Sequence, residues 1–505
     1  MNAQNTEKKI WNLCTILRDD GVPNHQYIME LTYILFLKIL EVSGEEIQLL
    51  KVIESSFKKR LHEYATNRNK SVNELTESEK SGLKNSIDSY SWMCLTKLHG
   101  VELKKYYRSI LAELGKISFS KIADIYANAV SHIEEPKNLE KVISEINKFD
   151  WSEMRKGDFG DFYEYLLSIN VKDWKSGVGQ YFTPRVLTDV MTELIEPKFG
   201  ERCFDPACGT FGFMISAYQH MMSSKDLSSL TDEEKKDIQN AFNGIELDEN
   251  IHRIALVNAY LHNVPANIYC ENTLASEAKR FKEFDVILTN PPFDNNVENG
   301  NFFRDDISFQ KTGKQFKFLQ IIYRSLKKSG NARCAVLVPD GVLFSSGYGN
   351  DVRRELMNFC DVHTIIRLPM GVFEITKIAT SILFFTRGKT EKGNTKEIAF
   401  YDMRTGNSFS RTRLLKKTDF DEFIEGFKNP LKRTSKRWTK YTREEIEEKY
   451  DDCLDLGLIE ESSVVGSDGL PDPITAGEEA IANLEEAVDL LKDVVRELKV
   501  LSSEK

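Results

Sequence analysis

Through residues 1–150, apolar side chains recur at the three-to-four spacing of helices with one buried face. Ile10, Leu13 and Leu17, with Trp11 and Cys14 beside them, predict one such helix. Ile28, Leu31, Leu35, Phe36 and Ile39 predict a second, strongly buried one between Gln26 and Leu40. Further helices are expected over Glu46–Arg60, Gly100–Leu114, Phe119–Ala129 and Leu139–Phe149. Tyr64–Leu83 is rich in Asn, Ser, Glu and Lys and reads as a surface loop with a short helix. Almost no β-like alternation interrupts this stretch. It forms a helical domain that by itself names no chemistry.

The pattern changes near Trp151. Short apolar runs at Glu201–Asp205, Ala241–Leu247, Ala266–Cys270, Asp285–Thr289, Ala332–Pro339, Val362–Leu368 and Ser381–Thr386 predict seven strands. Between them Leu187–Ile195, Phe213–Met222, Asn250–Leu261, Phe316–Lys327 and Val352–Cys360 read as helices. Such alternation implies an α/β fold whose mostly parallel, seven-stranded sheet is covered on both faces. Lys389–Pro430 is mixed, Ser435–Glu448 is charged and expected to be helical, and Val465–Pro473 is a Gly/Pro/Ser linker before a last helix. The expected domains are 1–150, 151–464 and 465–505.

Composition narrows the class. With 41% hydrophobic and 29% charged residues and only 13 Pro and 28 Gly, the 505-residue chain is neither collagenous nor broadly disordered. Its eight Cys are scattered without CxxC pairs, against a disulfide scaffold or a zinc finger. His252 and His262 lack a third ligand nearby in sequence, so no metal is expected. Met1–Lys9 is polar, unlike a signal peptide, and no run approaches about 18 uncharged apolar residues. A cytoplasmic location is expected. The balance of 68 basic against 78 acidic side chains, −10 in all, argues weakly against wrapping a long nucleic acid unaided. A local basic cleft or a partner chain would still permit it.

Two strings carry the chemistry. The first, Asp205-Pro206-Ala207-Cys208-Gly209-Thr210-Phe211-Gly212-Phe213, follows the first strand. Gly209 and Gly212, three apart at a strand-to-helix turn, let the backbone approach a ligand closely, although any α/β domain can contain a tight turn. The second strand ends in Gly244-Ile245-Glu246-Leu247-Asp248. An acidic residue there is placed to accept both ribose hydroxyls of a nucleoside. Glu246 suits that role, since Asp248 is needed as the cap of the next helix. Asp205 would repel a pyrophosphate and attract a sulfonium, which favours S-adenosylmethionine over NAD. Cys208 fits packing under the cofactor better than a nucleophile.

The other string is Asp285-Val286-Ile287-Leu288-Thr289-Asn290-Pro291-Pro292-Phe293. Two prolines end the strand in a rigid turn that offers no N–H. The Asn290 amide and the Pro291 carbonyl become two acceptors, matched to an exocyclic amino group with two protons, and Phe293 gives a base a flat face. A structural loop with an Asn cap is the plain alternative.

These residues resemble the modification subunit of Type I restriction–modification systems, an N6-adenine DNA methyltransferase family. Gly179–Arg185, Asp205–Phe213, Glu246, Asn290–Phe293, Val338–Phe344 and Leu368–Phe373 stand in that family's order, and the N-terminal helices look like its helical domain. The resemblance covers nearly the whole chain. It implies a methyltransferase-type sheet, with Asn290, Pro291, Pro292 and Phe293 as catalytic residues. It also implies that Gln180, Tyr181, Phe182, Thr183, Asp205, Ala207, Gly209, Thr210, Gly212, Phe213, Glu246, Asn272, Thr273 and Leu274 bind S-adenosyl-L-methionine. In the family, the segment at Thr183-Pro184 closes over the cofactor carboxylate. Asn272 stands where the family often has Asp, though its amide oxygen can still accept from an adenine amino group. Asp294 follows the catalytic string where a Gly is usual.

Arg304, Lys311, Lys314 and Lys317, interleaved with Phe302, Phe303 and Phe309, read as a DNA-facing loop, or else as a solvated face. The chain has no Walker string and no segment resembling a target-recognition domain, so a partner must read the sequence. Ile481, Leu484, Val488, Leu491, Val495 and Leu498 form a heptad seam. It would pack on its own domain or, as the resemblance favours, on the helical spacer of a specificity subunit. The resemblance implies double-stranded DNA as substrate and a restriction subunit in the full complex. An RNA or protein-glutamine methyltransferase, or a non-catalytic DNA- or partner-binding subunit, are the alternatives.

Overall fold

The computed structural model describes residues 3–23, 26–46, 58, 61–83, 91–115, 121–151, 154, 158–171, 182–223, 229–293, 304–373, 378–404 and 415–459. The chain divides into one unit, Met1–Gly457, and a second, Leu458–Lys505. The linker at 465–473 and the seam from Ile481 to Leu498 lie outside the described residues.

The helices expected in the N-terminal part form where their apolar stripes are long. Ala3–Asp19, Tyr27–Val42, Gly100–Leu114, Lys121–Tyr126 and Pro136–Asn147 enclose one core. Most of Glu46–Arg60 lies outside the described residues. The Tyr64–Leu83 stretch holds the short helix Glu77–Leu83 and a single 3-10 turn at Val72–Glu74. The helical core does not stop at residue 150. Phe159, Phe162, Tyr163, Leu166 and Leu167 of helix Asp158–Val171 belong to it, as do Ile251, Ile254, Val257 and Leu261 of helix Glu249–Leu261. Ala255 and Ala259 on that last helix face the sheet's core instead. One amphipathic helix therefore serves two cores.

Among the described residues the sheet has nine strands rather than the seven expected. These are β1 (Cys203–Asp205), β2 (Phe242–Glu246), β3 (Ala266–Cys270), β4 (Val286–Thr289), β5 (Arg333–Pro339), β6 (Cys360–Arg367), β7 (Thr380–Arg387), β8 (Glu397–Asp402) and β9 (Trp438–Thr442). Their order is β3-β2-β1-β4-β5-β7-β6-β8-β9. Strands β1 to β5 pair in parallel, β7 runs antiparallel between β5 and β6, and β9 closes the far edge antiparallel to β8. A short connection suffices between antiparallel neighbours, whereas each parallel pair needs a crossover. β8 emerges from the stretch read as mixed. Ser435–Glu448, expected to be helical, splits into the edge strand β9 and helix Arg443–Tyr450, which begins at a Thr442/Glu445 capping box. The strand order reverses between β1 and β4, and the crevice at such a switch point is where open α/β sheets bind ligands. Among the described residues no helix is long and apolar enough to cross a membrane.

Candidate active site

The turn after β1 is fixed from both ends. Asp205 is 1% exposed and accepts the Ala207 N–H at 3.0 Å. The Cys208 N–H reaches the Ile245 carbonyl at 3.0 Å, which fastens the turn to β2. Glu246 takes the Gly209 N–H on one oxygen at 3.0 Å and the Asp248 N–H on the other at 2.9 Å. Asp248 in turn caps helix Glu249–Leu261 through the Asn250 and Ile251 N–H groups, as its position in the sequence predicted.

Two backbone features make this approach possible. Gly209 and Phe211 both take positive φ, +51° and +69°, the second a costly conformation for an aromatic residue. The cost is offset by burial of the Phe211 ring against β2. A Cβ on Gly244 would lie 2.8 Å from both Phe211 Cε2 and Cys208 Cβ, so β2 needs glycine there.

The third wall comes from the segment after β3. Asn272 Oδ1 accepts the Leu274 N–H at 2.9 Å, and the Thr273 hydroxyl donates to the Pro206 carbonyl at 2.5 Å. The fourth is the end of β4. Asn290 Nδ2 donates to Thr183 Oγ1 at 3.1 Å, while Asn290 Oδ1 is buried and has no hydrogen-bond partner among the described residues.

These walls enclose a cavity of about 310 Å³. Of the residues expected at the site, Thr183, Asp205, Ala207, Gly209, Thr210, Gly212, Phe213, Glu246, Asn272, Thr273, Leu274, Asn290 and Pro292 line it. Pro291 is buried beside it, and the Phe293 ring stands edge-on to Phe373 with centroids 6.1 Å apart. Phe182 packs instead against the helical core. Gln180, Tyr181 and Asp294 lie outside the described residues.

The cavity also takes Thr188, Leu247, Glu271, Lys314 and Phe318, which sequence motifs did not assign to it. Lys314 and Phe318 are four apart on helix Lys314–Ser325, a spacing that puts both on one face and could have paired them. The DNA-facing loop needs correction on the same ground. Arg304 is 1% exposed and forms a two-bond pair with Asp306, and Lys317 is fully buried in a helix that covers the sheet. Lys311 is exposed and Phe309 half-buried, while Phe302 and Phe303 lie outside the described residues.

Electrostatically the cavity is acidic on its sheet side. Burial pushes Asp205 up to about 7, with the nearby Glu246 charge adding to the shift. Burial also raises Glu246, against the pull of its backbone N–H donors. Two carboxylates that cost free energy to ionise would gain from a ligand carrying positive charge. Burial raises the Cys208 thiol well above its ordinary range, so it stays protonated and packs rather than attacks.

A family model described as N-6 DNA Methylase matches residues 154–458. The chain belongs to this family. A second model, the HsdM N-terminal domain, matches residues 6–146. This N-6 DNA methylase is 32% identical over 552 aligned positions to the Type I restriction enzyme EcoKI methylase subunit of Escherichia coli K12, covering 99% of this chain and 96% of that one. Identity to the StySJI methylase subunit of Salmonella typhimurium is 31% over 547 positions, with the same coverage. The crystal structure of a modification subunit of a putative type I restriction enzyme from Vibrio vulnificus superposes with a TM-score of 0.67 at 26% identity, covering 88% of this chain and 93% of that one.

As a member of the family, the enzyme is an adenine-specific DNA methyltransferase whose cofactor is S-adenosylmethionine. Its residues fit that cofactor, because the two buried carboxylates, Asp205 and Glu246, suit a cationic ligand.

Proposed function

We propose that this N-6 DNA methylase is the modification subunit of a Type I restriction–modification complex and methylates N6 of an adenine flipped out of a specific DNA site. One observation carries the assignment of the reacting end. The Asn290 amide is tied to Thr183 through its nitrogen, which leaves its buried oxygen as an unused acceptor at the cavity.

Bound in the cavity, S-adenosylmethionine supplies the methyl group. Asp205, Gly209, Glu246 and Thr183 would hold it, together with Asn272, Thr273 and Leu274. Asn290 Oδ1 and the Pro291 carbonyl accept the two amino protons of the target base and orient its nitrogen. Phe293 stacks on the ring, and base stacking with hydrogen bonding offsets the few kcal/mol that flipping costs. The chain positions the reactants rather than exchanging protons with them.

Its partners are DNA and the other subunits of a Type I system. A specificity subunit reads the bases and docks its helical spacer on the 481–498 seam, and a restriction subunit joins the full complex. The test is co-purification with the specificity subunit, followed by mapping of N6-methyladenine in the host DNA. Methylated adenines should fall in one sequence motif and vanish when this gene is deleted. Unchanged methylation after deletion contradicts the reading.

A further inference from the structure

Glu164 sits on helix Asp158–Val171, whose Phe162, Tyr163 and Leu166 lie in the helical core, yet its carboxylate meets groups that belong to the sheet side. Its Oε1 accepts from Arg185 Nη1 at 3.0 Å and lies 3.5 Å from Asn258 Nδ2, while His262 Nε2 stands 3.4 Å away. Asn258, 1% exposed, also gives its Nδ2 to the Thr210 carbonyl at 2.9 Å. Arg185 follows Thr183-Pro184 directly and opens helix Arg185–Ile195. Thr183 and Thr210 both line the cavity. Burial works against the Glu164 charge, but the neighbouring His262 and Arg185 outweigh it and hold the group ionised.

We propose that Glu164 is a positioning residue for methyl transfer. From the helical region it fixes the Thr183 lip through Arg185 and the Thr210 turn through Asn258. A displacement of the helices is then felt on two walls of the cofactor cavity at once. This rests on the cofactor-site reading given above. The motif strings assign Glu164 no role, because it belongs to none of them.

A buried ion pair can also be merely structural, in which case its loss lowers stability without changing the affinity of the folded protein. A double-mutant cycle separates the two roles. S-adenosylmethionine binding to the full-length chain is measured by calorimetry for Glu164→Ala, Thr183→Ala and the double variant, each checked for folding by circular dichroism. Glu164→Ala should raise Kd about tenfold, the effect of losing one charge-assisted bond. The double variant should bind little worse than the weaker single one, because both substitutions release the same lip. Glu164→Gln, which keeps the shape and an acceptor but not the charge, should raise Kd less. It also serves as the test if the alanine variant fails to fold.

An unchanged Kd in the folded Glu164 variants, or strictly additive losses, overturns the proposal while leaving the cofactor site intact. If Thr183→Ala alone leaves Kd unchanged, the lip is not part of the cofactor site, and the relay falls with that reading.

Discussion

The two strand ends that meet at the switch point are built differently. The turn after β1 has its acceptors occupied within the protein. Asp205 holds Ala207, Glu246 holds Gly209 and Asp248, the Pro206 carbonyl takes Thr273, and the Thr210 carbonyl takes Asn258. Among the described residues, the turn after β4 ties Asn290 to Thr183 and leaves Asn290 Oδ1 buried without a partner. A buried acceptor without a donor costs roughly 1–3 kcal/mol, so folding alone gives no reason to keep it. On the proposed reading, the first turn is preorganised to bind and the second holds an acceptor in reserve for a substrate proton, so that binding and chemistry fall to different strand ends.

Substitutions at the two ends should therefore fail in different ways. The largest effect is expected for Asn290→Ala, where removing a preorganised group aimed at the reacting atom lowers the transfer rate about 10²–10³-fold. Single-turnover methylation by the assembled complex measures it, and a near wild-type rate would place the chemistry elsewhere. Gly244→Ala strikes the binding end. Its Cβ would press on Cys208 and Phe211 at 2.8 Å, and overpacking of this kind costs about 1–3 kcal/mol. Denaturant titration should show that loss together with weaker cofactor binding, and an unshifted midpoint would mean that β2 does not clamp the turn. Phe293→Ala should cost about 1–3 kcal/mol of DNA affinity through lost stacking and leave cofactor affinity alone, while Phe293→Trp retains part of the stacking.

The smallest effect is a pH dependence of the binding end. Asp205 is raised from an ordinary 3.8 to about 7, so the free protein keeps its proton well above the unfolded value. The stability this contributes is fully present below pH 3.8 and is lost as pH rises through about 7. Glu30, buried in the helical core and also raised to about 7, adds a loss of the same sign. Cofactor affinity moves the other way. A cationic ligand prefers the ionised carboxylate, so binding should strengthen as pH rises toward about 7, at most about tenfold per unit. Calorimetry across pH 5.5 to 8 (roughly one and a half units below to one above the midpoint) should show that slope in the wild type. Asp205→Asn should lack it, and a slope that survives in the variant removes Asp205 from the linkage.

Much of this site was legible because its groups lie next to one another along the chain. Asp205 to Phe213, Glu246, Asn272 to Leu274 and Asn290 to Pro292 each occupy a strand end, where a short string fixes both position and chemistry. Thr188, Lys314 and Phe318 reach the cavity from helix faces, where only the tertiary packing decides which residue points inward. For the same reason Arg304 and Lys317, basic and near the Asn290–Phe293 string, are buried rather than DNA-facing. Gly244 looked like an ordinary strand residue until the Phe211 ring was placed against it. In the fold, β1 to β7 announce themselves as apolar runs. β9 does not, because an edge strand of alternating Trp438, Lys440 and Thr442 is half exposed and carries charge. β8 was hidden in a mixed stretch, although five of its six residues are buried.

The division of labour between the strand ends is tested most directly by measuring two quantities on two variants. S-adenosylmethionine affinity by calorimetry and single-turnover transfer at saturating cofactor are compared for Glu246→Ala and Asn290→Ala. Glu246→Ala should lose affinity, since each charge-assisted bond to a ribose hydroxyl contributes very roughly 1.5–3 kcal/mol, yet recover most of its transfer rate once saturated. Asn290→Ala should bind as the wild type does and stay about 10²–10³-fold slow in transfer at any cofactor concentration. If Asn290→Ala instead loses affinity as steeply as Glu246→Ala, or Glu246→Ala stays slow when saturated, the two strand ends are not separate and the account is wrong.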